Sequence, residues 1–488
     1  MRSKKESNGI GSDVIKLTGS KVATTLIALI SSMLLSRFRS LTEYGTYSQI
    51  LMAINLVCSI IMLGLPNCIN YFLAKTEIGQ ERDHFLSVYY TLNTILSLMV
   101  GLVLVLSTPL LEIVFKNDLI RSFWYFLAFF PWTKIIMSSV ENLLIVYHKT
   151  NTLMLYRVAN SVALLGILML VQVCGGTFAS YMALYLTMEV FFTLWTYWQV
   201  TKITSNFRPR LDKNLMKTIF SFSLPIGIAS VVGTINIELD KLAITTFFST
   251  EDLAIYTNAS KELPVTVIAT SLTAVLLPQM VRLLRDEKKK EAVELWKSAT
   301  TLSFAIICFI AAACFVFAPE VITVLYSTKY IDGVPVFRVY CLVLLLRCTY
   351  FGMLLNATGN TKFILYSSIG SVFLNFVLNY LLYYSIGFIG PALATFLSSL
   401  IMSIVQLIYS GKVCGVSFRN VYPWRNTFLL MALNICFGIM AFLLHKFNCG
   451  FINPFISVII VSIVWFLVIS ITLYKPLQKQ WKSLNSKG

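Results

Sequence analysis

Charge is what this sequence most conspicuously lacks. Only 12% of its 488 residues are Asp, Glu, Lys or Arg, while 57% are hydrophobic and the mean hydropathy is +0.76; a soluble chain carries about a quarter charged residues. Water cannot be the main solvent of such a chain. Histidine is nearly absent, and His84, His148 and His445 fall in separate predicted loops, which speaks against a metal centre. There is no GxxxxGK[ST] phosphate loop, the Gly411-Lys412-Val413 stretch being too short and lacking the hydroxyl. The ten cysteines include no CxxC pair and read as core filler. No long polar segment is left in which a soluble catalytic domain could fold, so neither enzyme chemistry nor a cofactor is expected.

What the sequence has instead is a succession of apolar runs. A spanning helix takes about 20 residues, so this length accommodates about fourteen transmembrane helices joined by short loops. They begin near Leu17, Tyr44, Ser87, Arg121, Leu153, Ser180, Thr218, Leu253, Ser298, Val334, Phe363, Ile389, Thr427 and Pro454. The first, from Leu17 to Phe38, is too long for a signal h-region and has no small-x-small site after it, so it reads as a retained span. Lys and Arg number 39 against 22 Asp and Glu, a net charge of +17. That excess suggests nucleic acid in a soluble protein. Here the cations alternate with the spans, concentrating at Arg2, Lys4 and Lys5, at Lys202 to Lys213, at Arg282 to Lys290 and at Lys475 to Lys487. The positive-inside rule places these segments and both termini in the cytoplasm, with no nucleic-acid partner.

Sliding the chain against itself by about 210 residues reveals an internal duplication. Tyr47 meets Tyr256, and Pro66 in LGLP meets Pro278 in VLLP. TPLLEIVF with Pro109 meets APEVITVLY with Pro319, Asn151-Thr152 meets Asn360-Thr361, and Ser161-Val162 meets Ser371-Val372. Two copies with an even number of spans lie the same way up. The expected fold is therefore all-α: an N-lobe at 1–200, a basic cytoplasmic linker at 201–217, a C-lobe at 218–410, and spans 13–14 with a basic tail at 411–488. The two six-helix lobes are expected to be pseudo-symmetric and to face each other across a cleft.

Function must then reside in the charges inside spans, which are costly unless they meet a partner or a hydrated cavity. These are Lys21, Lys134, Glu141, Glu189, Glu238, Asp240, Lys241, Lys261, Glu262 and Arg347. Lys134 and Arg347 occupy equivalent spans, four and ten, and fall about one turn apart in the repeat register. Either they wall a cleft that holds an anion, or they neutralise Glu141 and Glu262. Glu238 and Lys241, three apart, either cancel or line a cavity, and Asn258, Lys261 and Glu262 are expected to form a polar helical stripe. Asn67, Asn70, Asn375 and Asn379 suit sugar hydroxyls or interhelical hydrogen bonds. Pro66, Pro131, Pro225, Pro264, Pro278 and Pro391 are expected to kink helices, and Trp124, Trp195, Trp198, Trp296 and Trp424 to anchor span ends at the interface.

The basic start running into GSKVATTLIALISSMLLSRF, the LTEYGTYSQ opening of span two, and the SFSLPIGIAS, ELDKLAITTFFSTEDLAIYTNASK and NATGNTK segments resemble the polysaccharide transporter branch of the multidrug/oligosaccharidyl-lipid/polysaccharide superfamily. The Asp240-Lys241 pair and Tyr256 fit that branch's pattern across spans seven and eight. The resemblance covers nearly the whole chain. It implies a Wzx-type O-antigen flippase of the bacterial cytoplasmic (inner) membrane, moving an undecaprenyl-diphosphate-linked oligosaccharide between leaflets by alternating access. It implies roles for Arg347, Lys134, Lys241, Lys261 and Lys21 in diphosphate binding. Asp240, Glu238 and Glu262 would serve ion coupling or cavity structure. Partners would be the lipid-linked oligosaccharide, membrane lipids, and a polysaccharide polymerase with chain-length proteins. A drug or metabolite exporter or a lipid II flippase is the nearest rival. A membrane polysaccharide polymerase or ligase would need a long catalytic outer loop, which the sequence does not have.

Overall fold

The computed structural model describes the backbone of residues 2–76, 79–204, 207–448 and 452–487, with the side chains at 2–15, 66, 67, 70, 74, 225, 226, 274 and 483–487 outside the description. Every regular element among these residues is helical, because a chain in lipid must satisfy its backbone hydrogen bonds internally. Two compact units emerge, Met1–Ala254 and Ile255–Gly488. The first holds α1 (Arg2–Phe38), α2 (Leu41–Met62), α3 (Leu65–Lys75), α4 (Gln80–Leu106), α5 (Thr108–Phe115), α6 (Trp124–Val146), α7 (Thr150–Val173), α8 (Phe178–Ile203) and α9 (Lys213–Phe247). Helix α10 (Thr250–Ala259) crosses the division. The second unit continues with α11 (Val267–Arg285), α12 (Lys289–Val316), α13 (Ala318–Tyr326), α14 (Val334–Leu346), α15 (Met353–Ala357), α16 (Thr361–Ile386), α17 (Gly390–Cys414), α18 (Phe418–Val421), α19 (Trp424–Asn448) and α20 (Pro454–Lys487). Among the described residues ten helical stretches are long and apolar enough to cross a membrane, or up to eleven when the bent α9 counts as one span.

The local structure repeats as the sequence does. Ser40 and Glu43 form a capping box at the start of α2, and Ser249 and Asp252 exchange the same two bonds, each 3.1 Å, at the start of α10. Such a cap stabilises a helix start by about 1 kcal/mol. Helices α5 and α13 both open on an early proline and both lead through a short 3-10 turn into the next helix. Before α7, His148 is left-handed and Lys149 N–H bonds Leu144 O at 2.8 Å; before α16, Gly359 is left-handed and Asn360 N–H bonds Leu355 O at 2.8 Å. The repeat departs from itself at its prolines. Pro66 lies in the first turn of α3, whereas Pro278 lies inside α11.

Three of the six prolines expected to kink helices instead start them: Pro66, Pro264 and Pro391 lie at first-turn positions, where the missing N–H has no partner to lose. Helix α9 does bend, by 49° between Lys213–Leu224 and Gly227–Phe247, where the sequence places Pro225. That bend meets the elbow between α2 and α3. Gly64 there has φ +75°, and a Cβ on Gly227 would lie 2.2 Å from the carbonyl carbon of Leu63. Only glycine allows this approach, which lays α2 along α9.

In the second unit α12, α19 and α20 pack around Trp465, which sits over Gly438. Lipid chains are as apolar as these side chains, so the helices are held by close packing at small residues rather than by escape from water. Trp296, expected at the interface, is 1% exposed in a core with Met353 and Tyr422 and donates to Thr349 Oγ1 at 3.0 Å. Its indole finds a partner inside the protein, which removes its reason to seek the lipid headgroups.

Candidate functional site

Three helices of the first unit bring its intramembrane charges together. Asn55, midway along α2, donates through Nδ2 to Glu238 Oε1 at 2.8 Å. Its Oδ1 accepts from the Lys134 ammonium of α6. Glu238 is 4% exposed and also pairs with Lys241 Nζ at 3.0 Å. Asp240, 2% exposed, accepts the backbone N–H of Lys241 at 3.0 Å. An amide is suited to this position because it carries acceptor and donor together: it connects a cation to a carboxylate without adding charge. Glu238 and Lys241 do pair, one of the two alternatives left open by their spacing. Lys134 is exposed and, among the described residues, has no carboxylate within ion-pair distance.

Of the two alternatives for Lys134, its pairing with Glu141 does not form. Glu141 instead meets Arg157 of α7. Positions 134 and 141 are two turns apart on one helix, too far for direct contact, whereas α7 packs beside α6. Asn55 and Arg157 were both missed by sequence reasoning. The signal for Asn55 was a lone amide in an otherwise apolar run. For Arg157 it was a cation one turn inside span five.

In the second unit Arg347 pairs with Glu262 at 3.0 Å, both side chains 44% exposed. Both sit at helix breaks. Arg347 ends α14, its N–H bonding Leu344 O at 3.0 Å. The helical stripe expected through Asn258, Lys261 and Glu262 does not exist, because α10 ends at Ala259 and Leu263 is extended. Pro264 disfavours helical geometry in the residue before it, which accounts for the break. Asn258 is buried, and Lys261 is exposed beyond the helix end. With both side chains partly exposed, the Arg347 guanidinium is accessible beside its carboxylate.

The remaining candidates are dispersed. Lys21 is exposed on α1. Asn375 and Asn379 are 1% and 4% exposed; Asn375 Nδ2 donates to Thr395 Oγ1 of α17 at 3.1 Å, and Asn379 Nδ2 to Asn375. Asn375 thus takes the interhelical alternative, while Asn379 bonds within α16. The side chains of Asn67 and Asn70 lie outside the described residues. Glu189 is buried on α8. An apolar cavity of about 580 Å³ lies between α12, α14 and α19, with Arg338 as the charged residue in its lining. No group of His, Cys, Asp and Glu able to hold a metal occurs among the described residues.

Outside the spans, Asp212 caps α9 by accepting from Asn214 and Leu215 N–H at 2.9 and 3.1 Å, and it meets His84 Nε2 of α4 at 3.0 Å. The hydrogen bond from His84, followed by these backbone bonds, holds its carboxyl below the ordinary carboxylate range.

Solved structures share the fold: the lipid II flippase MurJ in its inward closed conformation superposes with a TM-score of 0.74 at 15% identity, over 94% of this chain and 99% of that one. An inward-facing multidrug resistance MATE family transporter gives 0.63 at 14% identity, over 83% and 98%. Residues 34–335 match the family described as polysaccharide biosynthesis protein, and the chain belongs to that family. Curated relatives include a probable low-salt glycan biosynthesis flippase of Haloferax volcanii, 20% identical over 49% of this chain and 52% of that protein. Another is the capsular polysaccharide biosynthesis protein CapF of Staphylococcus aureus, 21% identical over 44% and 56%. The chain thus matches about half the length of these curated relatives.

Proposed function

We propose that this protein is a flippase that carries a polyprenyl-diphosphate-linked oligosaccharide across a membrane by alternating access. The observation that carries the reading is Lys134, an exposed ammonium within a span whose described partner is an amide and not a carboxylate. Such a group retains its attraction for an anion, and a diphosphate moving through a membrane needs cations where water is scarce. Arg347, released from Glu262, supplies a second such group, with Lys241, Lys261 and Lys21 as further candidates. Glu238, Asp240 and Glu262 hold these cations or couple transport to an ion. The apolar cavity between α12, α14 and α19 has the size range of a ligand pocket and suits part of an isoprenoid chain.

In this reading fourteen spans form two six-span repeats and a final pair. The stretch Thr361–Cys414 contributes two helices separated at Gly387–Ile389, and α6 and α14 complete the set. The preferred carrier is undecaprenyl diphosphate bearing an O-antigen or similar repeat unit, delivered across a bacterial cytoplasmic membrane to a polymerase. Deleting the gene tests this directly: a completed lipid-linked oligosaccharide should accumulate as surface polysaccharide disappears. Normal surface glycan with new drug sensitivity would favour an exporter. Lys134→Ala and Arg347→Ala should each abolish complementation of that deletion. Wild-type complementation by both would remove them from diphosphate binding.

A further inference from the structure

Where α18 hands over to α19, a polar cavity of about 330 Å³ is walled by Glu294 and Lys297 of α12 and by Arg419, Trp424 and Arg425. Beside it an apolar cavity of about 220 Å³ opens between Leu429 and Leu430 of α19 and Leu473 and Leu477 of α20, with Lys479 at its edge. Thr301, Asn426 and Gln480 line both. The two are therefore one recess, with a polar mouth and an apolar floor.

The charges are one-sided. Lys297, Arg419, Arg425 and Lys479 face a single carboxylate, Glu294, which is engaged by Lys297 at 2.7 Å. Arg419, Arg425 and Lys479 are exposed and, among the described residues, have no ion-pair partner. The first turn of α19, a helix of 25 residues, forms part of the wall and adds the positive end of its dipole. The walls are already built. Trp424 Nε1 donates to Phe418 O at 3.0 Å, Asn426 Nδ2 to Thr301 Oγ1 at 3.4 Å, and the rings of Tyr422 and Trp424 meet edge to face at 4.8 Å. Little ordering remains to be done when a ligand enters.

A soluble anion would leave the apolar floor unused, and a neutral lipid would leave the cations unsatisfied. We propose that this recess binds an anionic membrane phospholipid, its phosphate held by Arg419, Arg425 and the first turn of α19 and one acyl chain laid between α19 and α20. Basic pockets among helices on the positively charged side of a membrane protein recognise such headgroups. The bound lipid joins α19 and α20 to α12. None of these residues is among those proposed for the transported substrate.

The test titrates the purified full-length protein with phosphatidylglycerol and with phosphatidylcholine and counts bound lipid by native mass spectrometry. Phosphatidylglycerol should bind preferentially. Removing two headgroup cations in Arg419→Gln/Arg425→Gln should weaken it roughly thirty-fold, at about 1 kcal/mol per charge, while phosphatidylcholine adducts stay unchanged and report folding. The charge-matched control Arg208→Gln/Arg210→Gln should behave as wild type. Leu473→Trp, which fills the floor and keeps the cations, should also reduce phosphatidylglycerol binding, and it carries the test alone if the double variant does not fold. Equal affinity for the two lipids, or equal loss in the control, overturns the proposal. So does displacement of phosphatidylglycerol by stoichiometric polyprenyl phosphate, which would assign the recess to the carrier lipid.

Discussion

Replacing Asn55 by Leu would break the polar connection in the first unit while nearly preserving side-chain volume. Asn55 donates to Glu238 at 2.8 Å and accepts from Lys134. Glu238 is 4% exposed, so bulk water cannot supply the missing donor. A hydrogen bond to a charged group contributes about 1.5–3 kcal/mol. Lys134 keeps an exposed side chain, so the larger share of the loss falls on buried Glu238. The expected destabilisation is therefore about 2–3 kcal/mol. In a Glu238→Gln background the same replacement removes only a neutral hydrogen bond, about 0.5–1.5 kcal/mol, which leaves a coupling of about 1 kcal/mol. Denaturant unfolding in mixed micelles, run on the four members of this double-mutant cycle, measures both numbers. A cost below about 0.5 kcal/mol, or equal costs in the two backgrounds, would refute the idea that Asn55 supports a buried carboxylate, since unrelated surface changes fall in that range.

Three further outcomes follow from the contacts around this site. Glu141→Arg combined with Arg157→Glu should restore much of the thermal stability that either single change removes; no recovery in the swapped protein would mean that the α6–α7 pair is incidental. Gly227→Val should destabilise by at least the 1–3 kcal/mol of ordinary overpacking, because its Cβ would meet the Leu63 backbone at 2.2 Å, and retention of wild-type unfolding would contradict the nested elbow. Because the Asp212 carboxyl is held below its ordinary value, its contribution is present above about pH 4 and is lost as pH falls through the lowered folded value. Wild type and Asp212→Asn should accordingly differ in unfolding midpoint at pH 7 and converge in strong acid; a constant difference across that range would exclude the ionised cap.

Much of the molecule is legible along the chain. Apolar runs and sparse charge determine an all-helical membrane protein, and the spacing of about 210 residues reappears as duplicated caps at Ser40 and Ser249 and duplicated turns at His148 and Gly359. These features depend on residues near one another in sequence, so local physics suffices. Ion-pair partners are another matter. Lys134 reaches Asn55 and Glu141 reaches Arg157 through helix neighbourhood and rotation, which charge spacing does not encode, whereas the Arg347–Glu262 pair, one of two alternatives open in the sequence, does form. Likewise, only the packed structure shows that Trp296 is a core residue and that α10 ends before Lys261 and Glu262. Apolar runs show that charges fall inside the spans; packing fixes which are neutralised and which remain exposed, because an ion's partner is the nearest group in space.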